Sequence, residues 1–360
     1  MKHSYFYLIL LAYLLATSTP YAQIGGQHVY ELLDLPYSAR HAALGGYALA
    51  FQDDDPTTAA TNPATLNPQM DGSLSFNHAF FVAGIQHGYA AFAKYLPKQG
   101  FTAHMGMQYV NYGLFDRTDE FGQVQGDFKA GEYAMVFGVG KSLYERLSVG
   151  ANIRLISSQL AQYNSLGLST DWAMTYRDTS KQLQIALVWR NVGTQIVPYM
   201  PSVREPLPFD MQLVLTHRLQ HLPFRFSVVY HHLQRWNILY DDPNAEESPA
   251  FFDQPTTESP WKARIDNFFR HLVFSGELLA GARDNFRLRI SYDYLRHREM
   301  TVRNLVSLAG FNFGIGIKVS RFRIDYTRSI YHLAGGTNYF SLSTNLQQFT
   351  RKRRTLSMSQ

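Results

Sequence analysis

From Phe311 the apolar side chains fall on every second position, Phe311, Phe313, Ile315, Ile317 and Val319, with Asn312, Gly314, Gly316 and Lys318 between them. That spacing sends one set to each face of an extended strand, whereas a helix would need spacings of three and four. The same beat runs through Phe286, Leu288, Ile290, Tyr292 and Tyr294 against Arg287, Arg289, Ser291 and Asp293. It recurs at Leu147, Val149, Ala151, Ile153 and Leu155 against Ser148, Gly150, Asn152 and Arg154. Burying Arg154, Arg289 or Asp293 in a dry sandwich core is costly unless each is paired. The pattern therefore predicts apolar faces turned to lipid and polar faces turned to a water-filled or polar-plugged lumen.

Segments of this kind are predicted at 73–80, 84–95, 101–112, 131–142, 146–156, 165–177, 182–191, 208–218, 223–233, 268–281, 285–296, 307–319, 321–331 and 337–347. Fourteen is an even number, as a barrel with both termini on one side requires. The connections alternate in the same sense. Those after the second, fourth, sixth, eighth, tenth and twelfth segments are short, while Gly113 to Ala130, Val192 to Leu207 and Gln234 to Asn267 are long. Only the tight first outer loop near Val82 departs from the rule. The fold expected is all-β: a transmembrane antiparallel barrel of about 14 strands over 71–347.

Outside the strands, residues 1–22 read as a secretory signal peptide: Lys2, an apolar run from Tyr5 to Leu15, then a small-residue site ending at Ala22. The apolar run is too short for a membrane helix, which needs roughly 20 residues. Cleavage is expected after Ala22 and delivery to the bacterial outer membrane. Residues 23–70 are rich in small side chains and turn chemistry, and fit an N-terminal plug within the lumen. Residues 348–360, with Arg351-Lys352-Arg353-Arg354, should trail into the periplasm as a basic tail. The composition agrees, with 23 Tyr, 25 Phe and 25 Gly and no cysteine. The formal charge of +5 and pI near 9.2 would otherwise suggest nucleic acid, but the arginines alternate with apolar residues inside strands.

The stretch from Ala39 to Pro68, ARHAALGGYALAFQDDDPTTAATNPATLNP, resembles the N-terminal signature of the PorV/PorQ family, with Leu44-Gly45-Gly46, Asp53-Asp54-Asp55 and Asn62-Pro63 as its marks. FKAGEYAM from Phe128, REPLPFDMQL from Arg204 and PFRFSVVYHHLQRW from Pro223 extend the likeness and draw it toward the PorQ branch. The resemblance implies a FadL-like barrel and a place in the type IX secretion system. It also implies that the barrel anchors a PorZ-like surface protein within an attachment complex that includes PorU and PorV.

Candidate chemistry is sparse. Phe137 to Ser142, FGVGKS, ends like a phosphate-binding loop, but position 135 is Met where the motif needs Gly. The three aspartates lack the alternating spacing and central Gly of a calcium loop and stand before Pro56, so a turn and helix-cap role is expected. His231 and His232 point to opposite faces of a strand, and His217 and His221 straddle a turn. No nucleophile elbow, His-Glu-x-x-His motif or thiol is present. The expectation is a protein without catalytic, metal or cofactor residues. The loop from Gln234 to Asn267 carries seven acidic residues and the aromatics Trp236, Tyr240, Phe251, Phe252 and Trp261, a combination that fits a partner-docking face. The function expected is an anchor for a surface subunit; the alternative is a FadL-like transporter of hydrophobic small molecules, which would need a continuous apolar path past Arg154, Arg190, Arg287, Arg289 and Asp293.

Overall fold

The computed structural model describes residues 28–201, 203–239, 260–281, 284–301, 307–332 and 335–349. Residues 1–27, which include the expected signal peptide, residues 240–259 and the residues from 350 on lie outside them. The strands are β1 (Ser73–Phe80), β2 (Gln86–Leu96), β3 (Phe101–Thr118), β4 (Val124–Tyr144), β5 (Leu147–Leu160), β6 (Tyr163–Asp178) and β7 (Leu183–Val197). They continue as β8 (Asp210–Arg218), β9 (Phe224–Tyr230), β10 (Leu272–Ala280), β11 (Phe286–Asp293), β12 (Phe311–Val319), β13 (Phe322–His332) and β14 (Gly335–Asn345). Each pairs antiparallel with its sequence neighbours, and β1 pairs with β14 from Ser73↔Asn345, so the sheet is a closed fourteen-stranded barrel.

The burial pattern is inside out relative to a soluble protein. On β11 the apolar Phe286, Leu288 and Ile290 are exposed, while Arg287, Arg289, Ser291 and Asp293 are buried. On β5, Ile153 and Leu155 are exposed and Asn152 and Arg154 buried. Phe76, Met105, Phe137, Trp172, Leu215, Phe226, Phe313, Ile324 and Phe340 carry the exposed apolar band round the wall. An apolar belt of this extent belongs in hydrocarbon, and the closed sheet leaves no edge unpaired within it. No helix of the described residues is long and apolar enough to cross a membrane.

The wall is uneven. β3 to β7 run 14 to 21 residues, whereas β8 to β12 run 7 to 9, close to the 9–11 that a tilted strand needs to span the bilayer. Several expected boundaries move for local reasons. The 285–296 segment stops at Asp293, whose side chain accepts from Arg296 N and starts helix α3 (Tyr294–Met300). The 268–281 segment starts only at Leu272, after a helix at Pro260–Arg270 (α2). The 113–130 connection is mostly strand rather than loop.

Residues 29–70 lie inside the barrel. Helix α1 (Ala39–Ala43) is capped by the Ser38 hydroxyl, which accepts from His41 N. At its other end Gly46 N donates to His41 O and Gly45 N to Ala42 O, a Schellman closure with Gly45 at φ 105°. Three one-turn 3-10 helices follow, each opened by an Asx-Pro step. Asp55, Asn62 and Asn67 precede Pro56, Pro63 and Pro68, and their side chains accept from Thr57 N, Ala64 N and Gln69 N. Proline at the first helical position supplies the right φ and lacks only a donor that would be orphaned anyway. Small side chains let this compact chain reach the wall: Ala48, Ala50 and Ala64 pack against Ala173, Ala186, Val188, Val214 and Val229.

Candidate functional site

The interior is held by charge. Arg40, on α1 and 1% exposed, places Nη2 2.6 Å from Asp53, Nη1 3.2 Å from Asp55 and Nε 3.6 Å from Glu277 of β10. Glu277 also takes Arg225 of β9 at 3.0 Å and Arg289 of β11 at 2.8 Å, and Arg289 reaches Asp325 of β13 at 2.6 Å. Arg323 of β13 holds Asp54 with two bonds at 3.0 and 3.2 Å. The Phe51 ring lies between the Arg40 and Arg225 guanidiniums, each 4.4 Å from its centroid. This lattice ties 40–55 to three of the short strands, β9 to β11, and to β13.

Burial alone would push the Asp53 carboxyl up, but the Arg40 guanidinium, backed by Arg287 and Arg225, outweighs it and holds Asp53 well below the usual carboxylate range. His41 shows burial without a counter-charge. Desolvation, with Arg190 adding to it, depresses its pKa to about 3. The neutral ring accepts from Tyr37 N through Nδ1 at 3.1 Å and donates from Nε2 to Tyr47 O at 2.7 Å.

A second anchor faces the tall wall. Arg154 of β5 pairs with Asp171 of β6 at 2.7 Å and donates to Ala60 O at 2.9 Å and to Asn191. Asn152 donates to Ala59 O. Between them Pro63 presses on Gly140 and Gly150, cross-strand partners at which an added Cβ would stand 2.4 Å and 2.3 Å from Pro63 backbone atoms. Gly140, the phosphate-loop-like glycine of the sequence, is thus a point of close approach by the internal segment, and Lys141 continues β4.

The end of the barrel opposite the short turns opens into a cavity of about 350 Å³ between the internal segment and the 206–210 stretch, lined by Tyr47, Arg190, Phe209, Asp210, His232 and Arg235 among others. His232 Nδ1 sits 2.9 Å from Asp210, and His231 is buried with its ring stacked 4.5 Å from Tyr47.

The residues singled out in the sequence divide clearly. Leu44, Gly45, Gly46, Asp53, Asp54, Asp55, Asn62 and Pro63 all sit inside the barrel; Asp55 and Asn62 cap turns as expected, and the ion pairs of the three aspartates go beyond that role. Among the described residues no group of three or more His, Asp or Glu could hold a metal. Trp236 and Trp261 are 69% and 60% exposed, while Tyr240, Phe251 and Phe252 lie outside the described residues. One Ser-x-x-Lys spacing, Ser259 to Lys262, occurs in the sequence. Lys262 is exposed on α2 and Ser259 lies outside the described residues. Glu277 and Asp325, central to the lattice, had no sequence signal beyond their inward register.

No protein-family model matches the chain, and no curated protein matches it. Among solved structures it is similar to a mutant of the TodX monoaromatic hydrocarbon channel, with TM-score 0.48 and 12% identity over 87% of this chain and 98% of that one. It is similar also to the CymD monoaromatic hydrocarbon channel, with TM-score 0.48 and 14% identity over 86% and 96%. A FadL homologue of Pseudomonas aeruginosa gives 0.46 and 10% over 86% and 98%. A FadL homologue is thus among the solved structures of similar fold, and the expected PorV/PorQ membership is matched by no family model.

Proposed function

We propose that this chain is an outer-membrane anchor whose barrel is closed by its own N-terminal segment and whose outward-facing end holds a cell-surface partner. The observation that supports this reading is the Arg40 lattice. Moving residues 40–55 aside would separate Arg40 from Glu277 and Asp54 from Arg323, the two ion-pair ties between the internal segment and the short strands and β13. An interior so cross-linked suits a rigid support better than a path for solute. The PorV/PorQ resemblance would make the partner a PorZ-like protein in an attachment complex with PorU and PorV.

A second reading, passage of a hydrophobic small molecule, has one observation in its favour: the 350 Å³ cavity at the mouth, walled on one side by Pro206, Leu207, Pro208 and Phe209. Arg190, Asp210 and Arg235 in the same lining make it a poor start for an apolar path. Affinity purification of the tagged protein from detergent-solubilised outer membranes, with mass spectrometry of what accompanies it, separates the two. Near-stoichiometric recovery of a surface-exposed protein supports the anchor; a monomer carrying lipid or another hydrophobic molecule supports transport.

A further inference from the structure

Strand pairing leaves one part of the wall without neighbours. β2 follows β3 only as far as Gln86↔Asn111, and β5 follows β4 only as far as Ala130↔Leu160. β3 and β4 continue to pair with each other from Gly113↔Ala130 to Thr118↔Val124. Among the described residues, 112–129 is therefore a two-stranded ribbon with no strand on either side.

The ribbon stands beyond the membrane. Going up β4, the outward side chains are Val139, Phe137, Met135 and Tyr133, and then Lys129 and Asp127; up β3 they are Met105, Met107 and Tyr109, and then Leu114 and Asp116. Tyr109 and Tyr133 are cross-strand partners at the place where apolar residues give way to charged ones, as an aromatic girdle does.

Backbone direction shows what the ribbon lacks. Ala161 N donates to Lys129 O at 3.3 Å, so the polar groups of Lys129 point away from β3. The antiparallel alternation turns those of Asp127 the same way, and those of Leu114 and Asp116 outward from the opposite edge. No described strand meets the edges at Leu114, Asp116 or Asp127. Asp116 and Asp127 then form a non-hydrogen-bonded pair, the arrangement that brings side chains closest, and like charges directly opposite are destabilising. On the other face Phe115 stacks on Phe128 with centroids 5.4 Å apart. Leu114 and Val124 are each 63% exposed and Phe121 at the tip is 88% exposed.

A lone two-stranded ribbon is marginal in water, and its open edges are templates for another strand. We infer that ribbon 112–129 is the docking element of this barrel: an edge strand of the surface partner adds to one of its free edges and sets a basic side chain against the Asp116–Asp127 pair. This rests on the anchoring reading above and specifies its contact. The open row of backbone donors and acceptors calls for an extended chain rather than a lipid. A second copy fits poorly, because it would bring the same acidic pair to the junction.

The test compares four tagged proteins purified from their own outer membranes: the natural chain, one with Gly113–Lys129 replaced by an Asn-Gly turn, the Asp116→Lys/Asp127→Lys variant, and one lacking 240–259. Heat-modifiable electrophoretic mobility confirms that each barrel is folded. The natural chain and the 240–259 deletion should retain the surface protein, and the other two should lose it at least tenfold. In the complex, the amides of Leu114 and Asp116, or that of Asp127, should exchange with deuterium at least tenfold more slowly than in salt-stripped protein. Full retention without the ribbon, or unchanged exchange at both edges, overturns the inference while leaving the anchor reading intact. Capture of no surface protein by the natural chain overturns both.

Discussion

Replacing Arg40 with methionine keeps most of the volume of the side chain and removes the charge at the centre of the lattice. The three carboxylates it touches do not suffer equally. Glu277 keeps Arg225 and Arg289, and Asp55 keeps the backbone N–H and hydroxyl of Thr57. Asp53 loses its direct ion pair and keeps a hydrogen bond from Asp55 N and the more distant charges of Arg287 and Arg225. The cost should therefore concentrate at Asp53, at about 3 kcal/mol, the lower part of the range for a buried ion left unpaired. At about 1.4 kcal/mol per decade, amides of α1 and of the Asp55-Pro56 turn should exchange with deuterium roughly 100-fold faster if they open locally. Adding Asp53→Asn to Arg40→Met removes the stranded charge and should recover at least half of that effect. A change below about threefold in Arg40→Met, or a double variant no slower in exchange than the single one, would refute the claim that charge pairing holds the internal segment.

Gly45→Ala should lower stability by about 1–3 kcal/mol, since φ 105° disfavours a side chain and the added Cβ would stand 2.6 Å from Val273 Cγ1; calorimetry in detergent measures it, and an unchanged melting temperature would contradict the tight seat. His41, depressed to about 3 in the folded protein, favours folding above its unfolded value of about 6.5, and that contribution is lost as pH falls from 6.5 toward 3, at about 1.4 kcal/mol per unit at most. The melting temperature should accordingly drop between pH 7 and pH 5, and His41→Gln should flatten the slope; an unchanged slope in that variant would assign the dependence to other groups. Asn267→Ala should free the base of the 234–267 loop, because its side chain accepts from Ile238 N and donates to Trp236 O; protease cleavage within 240–259 should quicken. Trp236→Ser and Trp261→Ser, both on exposed side chains, should shift stability by less than about 0.5 kcal/mol.

Much of the wall could be read from the chain because lipid enforces alternation residue by residue. Phe286, Leu288 and Ile290 could face only outward, and a slip of one would have put Arg287 and Arg289 into hydrocarbon. What failed were segment ends, where no lipid constrains the pattern. Tyr294 continued the beat in sequence, but Asp293 caps a helix there. Residues 113–118 and 124–130 read as loop because their composition is mixed, and they form the ribbon. Inside, the Asx-Pro steps were visible as turn chemistry, and they are turns. Their partners were not visible, because Arg40 meets Glu277 across more than 200 residues of sequence and only the closed barrel brings them together. The resemblance suggested what surrounds the barrel; the ion pairs that close it came from the structure.

Single-channel recording of the purified protein in planar bilayers at high salt tests the closed lumen most directly. A lumen closed by the internal segment gives no steady conductance in the natural chain and open, porin-like steps once residues 29–70 are deleted; a stable open conductance in the natural chain would show that the lumen is not closed.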